Sequence, residues 1–253
     1  MTNHTSNYSE PPRNWKDLQN KTARIFSELG YNTDVEKKIE TVRGKVEVDV
    51  VAEQQIPIRL TIFCECKQWS KKVPQTVIHA IQTVVQNSGA NIGYIISKKG
   101  FNAGAYKAAE KTNIKLVEWV EFLKIFEEEW LAAHSKQIRR DFGLLIDLGD
   151  YFGPDYIEEA VNKLRPDDAK LFRNIQKKTA GYGNFILVIS LFKNPLMREL
   201  VRRNEGLYFP MRFGEKDEFL FNSAYELVDW MYNDAMKHQE EIRNLLNLKP
   251  RSG

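Results

Sequence analysis

The chain has little cysteine and no long apolar run. Its 253 residues include two cysteines, Cys64 and Cys66, which are too few for a disulfide framework or a four-ligand zinc site. No stretch approaches the ~18–20 apolar residues that cross a bilayer, and residues 1–13 lack the apolar run of a signal peptide. These absences predict a cytoplasmic protein with no membrane partner, in which both cysteines are small core residues.

The composition is that of a globular protein, with one local charge excess. Hydrophobic residues make up 42% and charged residues 28% of the chain, enough for one large or two modest domains. The net charge is only +3, yet residues 67–117 hold eight lysines and a single acid, Glu110. This excess is typical of a surface that binds a polyanion. A solvated face balanced by the acids that follow would give the same pattern.

Periodicity predicts an α/β region in the first half of the chain. Apolar residues three or four apart predict a helix over residues 15–29, and alternation predicts strands over 46–50 and 59–67, joined through a turn at 54–57. The predicted elements that follow are a helix over 73–86, a strand over 92–97, a helix over 102–111, a strand over 114–117 and a helix over 119–133. Parallel pairing of the later strands beside an antiparallel hairpin predicts a mixed β-sheet with helices on both faces.

The second half is predicted to be mainly helical. Helical patterns cover residues 154–164, 166–178 and 222–248, while the apolar run at 185–192 fits either a strand or a buried helix. We therefore expect a disordered tail over residues 1–13, an α/β domain over 14–133 and a mainly helical domain over 136–253. The last domain would serve recognition, regulation or oligomerisation.

The residues that can carry chemistry lie in the hairpin. Glu65 and Lys67 share one face of an otherwise apolar strand, and Asp49 stands between valines on the preceding strand, where antiparallel pairing could bring it opposite Glu65. Buried charges without partners cost several kcal/mol. A structural ion pair explains Lys67 and one carboxylate. A divalent cation would relieve the repulsion between the two carboxylates, and hard oxygen ligands suit Mg²⁺.

This arrangement resembles the PD-(D/E)xK nuclease signature, and its surroundings resemble the Mrr-like restriction endonuclease family. The resemblance covers residues 14–130. It rests on Trp15-Lys16-Asp17-Leu18, Leu29-Gly30-Tyr31, Val48-Asp49-Val50-Val51-Ala52, Glu65-Cys66-Lys67-Gln68-Trp69, residues 89–97 and residues 101–109. It implies a restriction-endonuclease-like α/β fold followed by a mainly helical C-terminal domain, and metal-dependent cleavage of DNA phosphodiester bonds.

The resemblance also implies roles for individual residues. Asp49 and Glu65 would bind Mg²⁺, which Mn²⁺ can replace, with the Cys66 carbonyl as a further ligand and Lys67 as the catalytic lysine. The accessory candidates are Gln19, Glu47, Gln75 and His79; Gln19 is neutral where many relatives carry an acid. The candidates for phosphate contact are Lys71, Lys72, Lys98 and Lys99.

The expected partner is DNA, with the chain acting as a homodimer or higher oligomer in restriction or antiviral defence. Two other interpretations stay open. The chain could be a non-cleaving nucleic-acid-binding or assembly protein, which the neutral Gln19 favours. Alternatively, it could be a defence nuclease that acts only when a protein or small-molecule activator engages its C-terminal half.

Overall fold

A computed structural model describes Tyr8 and residues 10–42, 44–55, 59–149, 154–191, 202–203, 206–209 and 219–248. The chain divides into two compact units. One is Glu10–Trp130, and the other combines Met1–Ser9 with Leu131–Gly253. The division falls a few residues before the predicted join. No helix among the described residues has the length and apolar character that a membrane span requires.

The Glu10–Trp130 unit is built on a mixed sheet with the strand order β1-β2-β3-β4-β5. Its strands are β1 (Asn32–Thr41), β2 (Gly44–Gln54), β3 (Leu60–Lys67), β4 (Ile92–Ser97) and β5 (Ile114–Glu118). The first three strands pair antiparallel, and β3, β4 and β5 pair parallel. The predicted mixed sheet is confirmed. Residues 56–58, which include part of the predicted turn, lie outside the described residues.

Helices cover both faces of this sheet. They are α1 (Trp15–Glu28), α2 (Gln75–Ser88), α3 (Ala103–Ala109) and α4 (Trp119–Asp141), of which α4 continues past this unit. Adjacent strand residues point to opposite faces. Tyr94 of β4 meets Phe122 of α4, which in turn contacts Phe26 of α1. The next residue, Ile95, joins a core cluster with Ile78 of α2 on the other face.

Strand β1 was not predicted from the sequence. Its ten residues carry charged side chains on both faces, and all of them are half-buried or exposed, so no apolar alternation marks the strand. The start of α2 also differs from the prediction. Val73 lies before the helix in a β-bridge with Phe101, and Pro74 is the N-cap residue. A missing N–H makes proline suitable at that boundary.

The second unit is mainly helical, as predicted. Beyond α4 it contains α5 (Gly143–Gly149), α6 (Asp155–Asn162), α7 (Pro166–Lys178), α8 (Tyr182–Ser190), α9 (Ala224–Trp230), a π-helical turn (Met231–Ala235) and α10 (Met236–Leu245). The ambiguous apolar run is therefore helical where it is described, and the pattern at 222–248 is interrupted by the π-helical turn. Helix α5 and a small antiparallel sheet of Arg202–Arg203, Gly206–Phe209 and Phe219–Phe221 were not predicted.

The tail predicted over residues 1–13 falls largely outside the described residues. Tyr8 is nevertheless fully buried and packs edge-on against Tyr225, with ring centroids 5.3 Å apart. Pro12 is also buried, and its carbonyl accepts a hydrogen bond of 2.7 Å from Gln68 Nε2. This segment was expected to have almost nothing to bury, and the structure differs at both residues.

Candidate active site

Asp49 and Glu65 lie where strands β2 and β3 stop pairing with each other. The β2–β3 ladder ends at the pair Val50 and Cys64. Beyond this pair, at the same end of the ladder, the earlier residues of β2 pair with β1 alone and residues 65–67 of β3 pair with β4 alone. The two carboxylates therefore flank the opening between the strands. Burial raises the pKa of Glu65, and the negative charge of Asp49 raises it further.

The carboxylate of Asp49 is held by two hydrogen bonds. Its Oδ1 accepts from Gln19 Nε2 of α1 at 2.8 Å, and its Oδ2 accepts from the backbone N–H of Cys66 at 2.6 Å. The N–H and C=O of one strand residue point to the same side of the strand. The Cys66 carbonyl therefore faces the side of β3 on which Asp49 lies.

Gln19 is almost fully buried, with 2% of its surface exposed. Its Oε1 has no hydrogen-bond partner among the described residues, although its Nε2 is bound to Asp49. A buried acceptor without a donor is unfavourable by about 1–3 kcal/mol. Gln19 Oε1 is therefore a hydrogen-bond acceptor without a donor at the site.

Glu65 and Lys67 form a direct ion pair on β3. Their side chains are 16% and 17% exposed. Burial, followed by the charge of Asp49, raises the pKa of Glu65, and the ammonium of Lys67 opposes this rise only in part. On its other side, Lys67 Nζ lies 5.2 Å from the ring centroid of Trp69, within the range of a cation–π interaction.

A third carboxylate, that of Glu36, lies on the strand beside β2 and is paired with a lysine. The β1–β2 ladder is interrupted at Glu36, whose register position is opposite Asp49 and whose φ is +55°. This left-handed conformation is unfavourable for a residue other than glycine. The Glu36 side chain pairs with Lys16 at 2.9 Å, so it does not add to the repulsion between Asp49 and Glu65.

Both cysteine side chains belong to the core, as predicted. Cys64 and Cys66 are buried and free of disulfides. Burial is the main cause that raises the pKa of each thiol above its ordinary value. Protonated thiols are poor metal ligands and poor nucleophiles. Cys66 can therefore contribute its backbone to the site, but not its thiol.

Two lysine-bearing loops lie at the end of β3. Lys71 and Lys72 are exposed in the loop after β3, and Lys98 and Lys99 are exposed in the loop after β4. Backbone hydrogen bonds from Val73 N to Gly100 O and from Asn102 N to Val73 O join the two loops. A third, from Lys98 N to Lys67 O, ties them to the end of β3. The four lysines predicted for phosphate contact are thus brought together beside Lys67.

Among the described residues, three accessory candidates form no hydrogen bond or ion pair with the carboxylate pair. Glu47 is exposed on β2, where its register partner is Lys38. Gln75 is exposed at the start of α2 and lies close against Gly104 of α3. His79 is exposed on α2. Of the accessory residues, Gln19 alone is seen to bond to one of the three central side chains, so far as the described residues show.

Sequence reasoning missed the residues that surround the central three. Gln68 anchors the segment after β3 to Pro12, and Trp69 lies against Lys67. Both directly follow the Glu65-x-Lys67 run. Trp15 was predicted as part of the apolar stripe of α1, but it is exposed. Alternation and helical spacing assign a face to a residue, but they do not show which elements meet at that face.

The donor atoms at this site fit a hard divalent cation. Among the described residues, no group of three or more His, Cys, Asp and Glu side chains could hold a metal ion. The available donors are instead the carboxylates of Asp49 and Glu65, the Cys66 carbonyl and the unpartnered Oε1 of Gln19. All are oxygens, the ligand type that Mg²⁺ and Mn²⁺ prefer, and Mg²⁺ commonly uses one or two carboxylates.

Comparison with known proteins gives one family match and one solved structure. Residues 13–126 match the Mrr_cat family model, described as a restriction endonuclease. No curated protein matches the chain. One solved structure, described as a protein of unknown function, AF1548, is 24% identical with a TM-score of 0.36. The match covers 42% of this chain and 59% of that one.

The family match contains all of the central residues. Asp49, Glu65, Lys67 and Gln19 lie within residues 13–126, and so do the two lysine-bearing loops. The matched segment also lies inside the Glu10–Trp130 unit with its mixed sheet. Residues 13–126, a little under half of the chain, therefore match the Mrr_cat family of restriction endonucleases.

Proposed function

We propose that this domain hydrolyses phosphodiester bonds in DNA with the help of Mg²⁺ or Mn²⁺. Asp49, Glu65 and the Cys66 carbonyl would hold the cation, with Lys67 as the catalytic lysine. The observation that carries the proposal is the convergence of two carboxylates, fixed from different strands, with an ammonium beside them. When bound, the cation would act as a Lewis acid on the phosphate and lower the pKa of a water molecule.

The residues of the chain would orient the reaction. Gln19 and the Cys66 amide fix the Asp49 carboxylate before substrate arrives, which lowers the reorganisation needed during the reaction. The ammonium of Lys67 has three N–H donors, and Glu65 occupies one. The remaining donors would orient the attacking water and stabilise negative charge on the phosphate oxygens.

The lysine-bearing loops would bind the DNA backbone. Lys71, Lys72, Lys98 and Lys99 are exposed and lie on joined loops beside Lys67. Phosphate contacts position a nucleic acid without reading its sequence. These loops would therefore set the affinity and the path of the strand.

The wider biological role is part of the proposal. We place the enzyme in restriction or antiviral defence in the cytoplasm, as a homodimer or higher oligomer. The helical unit would serve target recognition, response to an activator, or assembly. The alternative of a non-cleaving DNA-binding protein is favoured by the small number of carboxylates at the site. It predicts DNA binding that is salt-sensitive and unaffected by Mg²⁺.

Cleavage of DNA tests the proposal directly. We expect the full-length protein to cut labelled single-stranded or duplex DNA in Mg²⁺ or Mn²⁺ and to leave it intact in EDTA. Asp49→Asn and Lys67→Ala should each lower the rate by about 100-fold or more, because each removes a group that stabilises the transition state. Glu47→Gln, which removes an exposed carboxylate from the same strand, is the matched control and should cut at the wild-type rate.

Two results would contradict this function. The first is intact DNA of both kinds under every metal condition, from a protein that also fails to bind Mn²⁺. The second is equal cleavage by wild type, Asp49→Asn and Lys67→Ala, which would assign the activity to other residues or to a contaminant.

A further inference from the structure

Two of the five tryptophans lie at the surface of the nuclease domain. Trp15 is 54% exposed and Trp69 is 43% exposed, whereas Trp119 and Trp130 of the same unit are buried. Leaving an indole in water forgoes the large favourable free energy of burying it. Large exposed apolar side chains close to a functional site mark surfaces that contact a partner.

Trp15 lies one turn of helix α1 before Gln19, the residue that bonds to Asp49. Residues four apart lie on one face of a helix, and Gln19, four residues after Trp15, bonds to Asp49. The ring of Trp15 has Lys16 Nζ 5.1 Å from its centroid, and that ammonium is also paired with Glu36. This arrangement keeps the ring at the surface, one helical turn from the carboxylate.

Trp69 is placed next to Glu65 by strand β3. Its ring contacts the ammonium of Lys67, which is paired with Glu65. The hydrogen bond from Gln68 to Pro12 ties the segment before Trp15 to the segment that carries Trp69. Both indoles therefore belong to the rim of the same site, one reaching it from α1 and the other from β3.

We propose that Trp15 and Trp69 stack on unpaired bases beside the phosphodiester bond that is cut. The substrate class would then be single-stranded DNA, or a single-stranded stretch within a duplex. This inference rests on the proposed nuclease function. The bases of an intact duplex cover one another's faces and leave only their edges in the grooves, whereas unpaired bases stack freely on aromatic rings.

The charges around the two rings fit this substrate. Lys71, Lys72, Lys98 and Lys99 form the basic loops beside Lys67, next to Trp69 in the chain. Proteins that bind single strands combine such a positively charged path for the backbone with aromatic platforms for the bases. Here, both features occur at the edge of one candidate hydrolytic site.

Binding in EDTA tests the inference without requiring cleavage. Full-length protein would be titrated into a fluorescein-labelled single strand and into the duplex of the same sequence, with anisotropy as the readout. Trp15→Ala and Trp69→Ala should each weaken single-strand binding by about 5- to 150-fold. Each should change duplex binding by less than about twofold. Trp15→Phe and Trp69→Phe should retain most of the affinity, because phenylalanine keeps a stacking face.

Ile125→Ala is the matched control, since it trims an exposed apolar side chain elsewhere in the same unit. It should bind both DNAs as wild type does. Melting curves of all variants would show that each is folded. Equal losses on single strand and duplex, or wild-type affinity of both alanine variants for the single strand, would overturn the inference.

The inference and the proposed function fail in different ways. Tryptophan-dependent binding of single strands without cleavage in Mg²⁺ would support stacking and count against the nuclease. Efficient cleavage of single strands by Trp15→Ala and Trp69→Ala at the wild-type affinity and rate would support the nuclease and overturn stacking.

Discussion

At the scale of single residues, Glu65 has surroundings that disfavour its ionised form, which a bound cation would favour. Its side chain is largely buried beside a second carboxylate, and the ion pair with Lys67 offsets only part of the unfavourable effect on its ionised form. A structural ion pair would leave Asp49 as an additional negative charge. Burial is the main cause of the raised pKa of Glu65, and the negative charge of Asp49 raises it further.

This environment predicts a pH-dependent stability in the metal-free protein. In the unfolded chain, Glu65 titrates near its ordinary pKa of 4.5, and in the folded chain it titrates at a higher pKa. The stabilising contribution of Glu65 is therefore fully present below about pH 4.5 and is lost as the pH rises through the folded pKa. Thermal unfolding against pH should show this loss in wild type, and Glu65→Gln should lack it.

In wild type, Mg²⁺ should offset the loss of stability that occurs as the pH rises. Binding favours the ionised carboxylate, so Mg²⁺ should raise the melting temperature more at neutral pH than near pH 4.5. Glu47→Gln, which leaves Asp49 and Glu65 intact, should behave as wild type. A wild-type protein whose pH dependence equals that of Glu65→Gln would show that Glu65 titrates normally.

At the scale of secondary structure elements, two helices of the second unit pack through glycine. A Cβ at Gly183 of α8 would clash with the carbonyl oxygen of Leu145 in α5. A Cβ at Gly149 would lie 2.9 Å from the backbone N of Asn184. Backbone atoms cannot move aside as flexible side chains can. The absence of a Cβ at these two glycines therefore allows α5 and α8 to pack closely.

Gly183→Ala should therefore destabilise the second unit by about 3 kcal/mol, because the two helices must separate. Hydrogen exchange of the α5 and α8 amides measures this locally and should accelerate. Asn184→Ala, at the exposed neighbouring position, should change stability by less than about 0.5 kcal/mol. Unchanged protection of α5 and α8 in Gly183→Ala would contradict the close packing of these helices.

The elements that the sequence predicted are those with a clear period. Alternation placed Asp49 and Glu65 on neighbouring strands, and the ladder ending at Val50 and Cys64 brings them together as that pattern implied. Strand β1 lacked alternation and was missed. Periodicity did not predict the bond between Gln19 and Asp49, because it depends on how α1 packs across the sheet, although the family resemblance named Gln19 as an accessory residue. The same reason explains why the exposure of Trp15 was missed.

At the scale of the whole molecule, the family assignment and the candidate site fall in one unit. Residues 13–126 match the restriction endonuclease model, and they lie within Glu10–Trp130. The second unit has its own core, which includes Phe142, Phe185 and Tyr225. If this unit must bind an activator, the purified protein would be inactive in a cleavage assay that lacks the activator. Cation binding by the two carboxylates, by contrast, can be measured without cleavage.

The most direct test of the central claim is therefore a titration of the full-length protein with Mn²⁺, followed by the electron paramagnetic resonance signal of the free ion. Wild type should bind Mn²⁺ in competition with Mg²⁺. Asp49→Asn and Glu65→Gln should each bind about 10- to 100-fold more weakly, and Glu47→Gln should bind as wild type does. If wild type leaves Mn²⁺ free, or if both carboxylate variants bind it as tightly as wild type, Asp49 and Glu65 do not form a cation site.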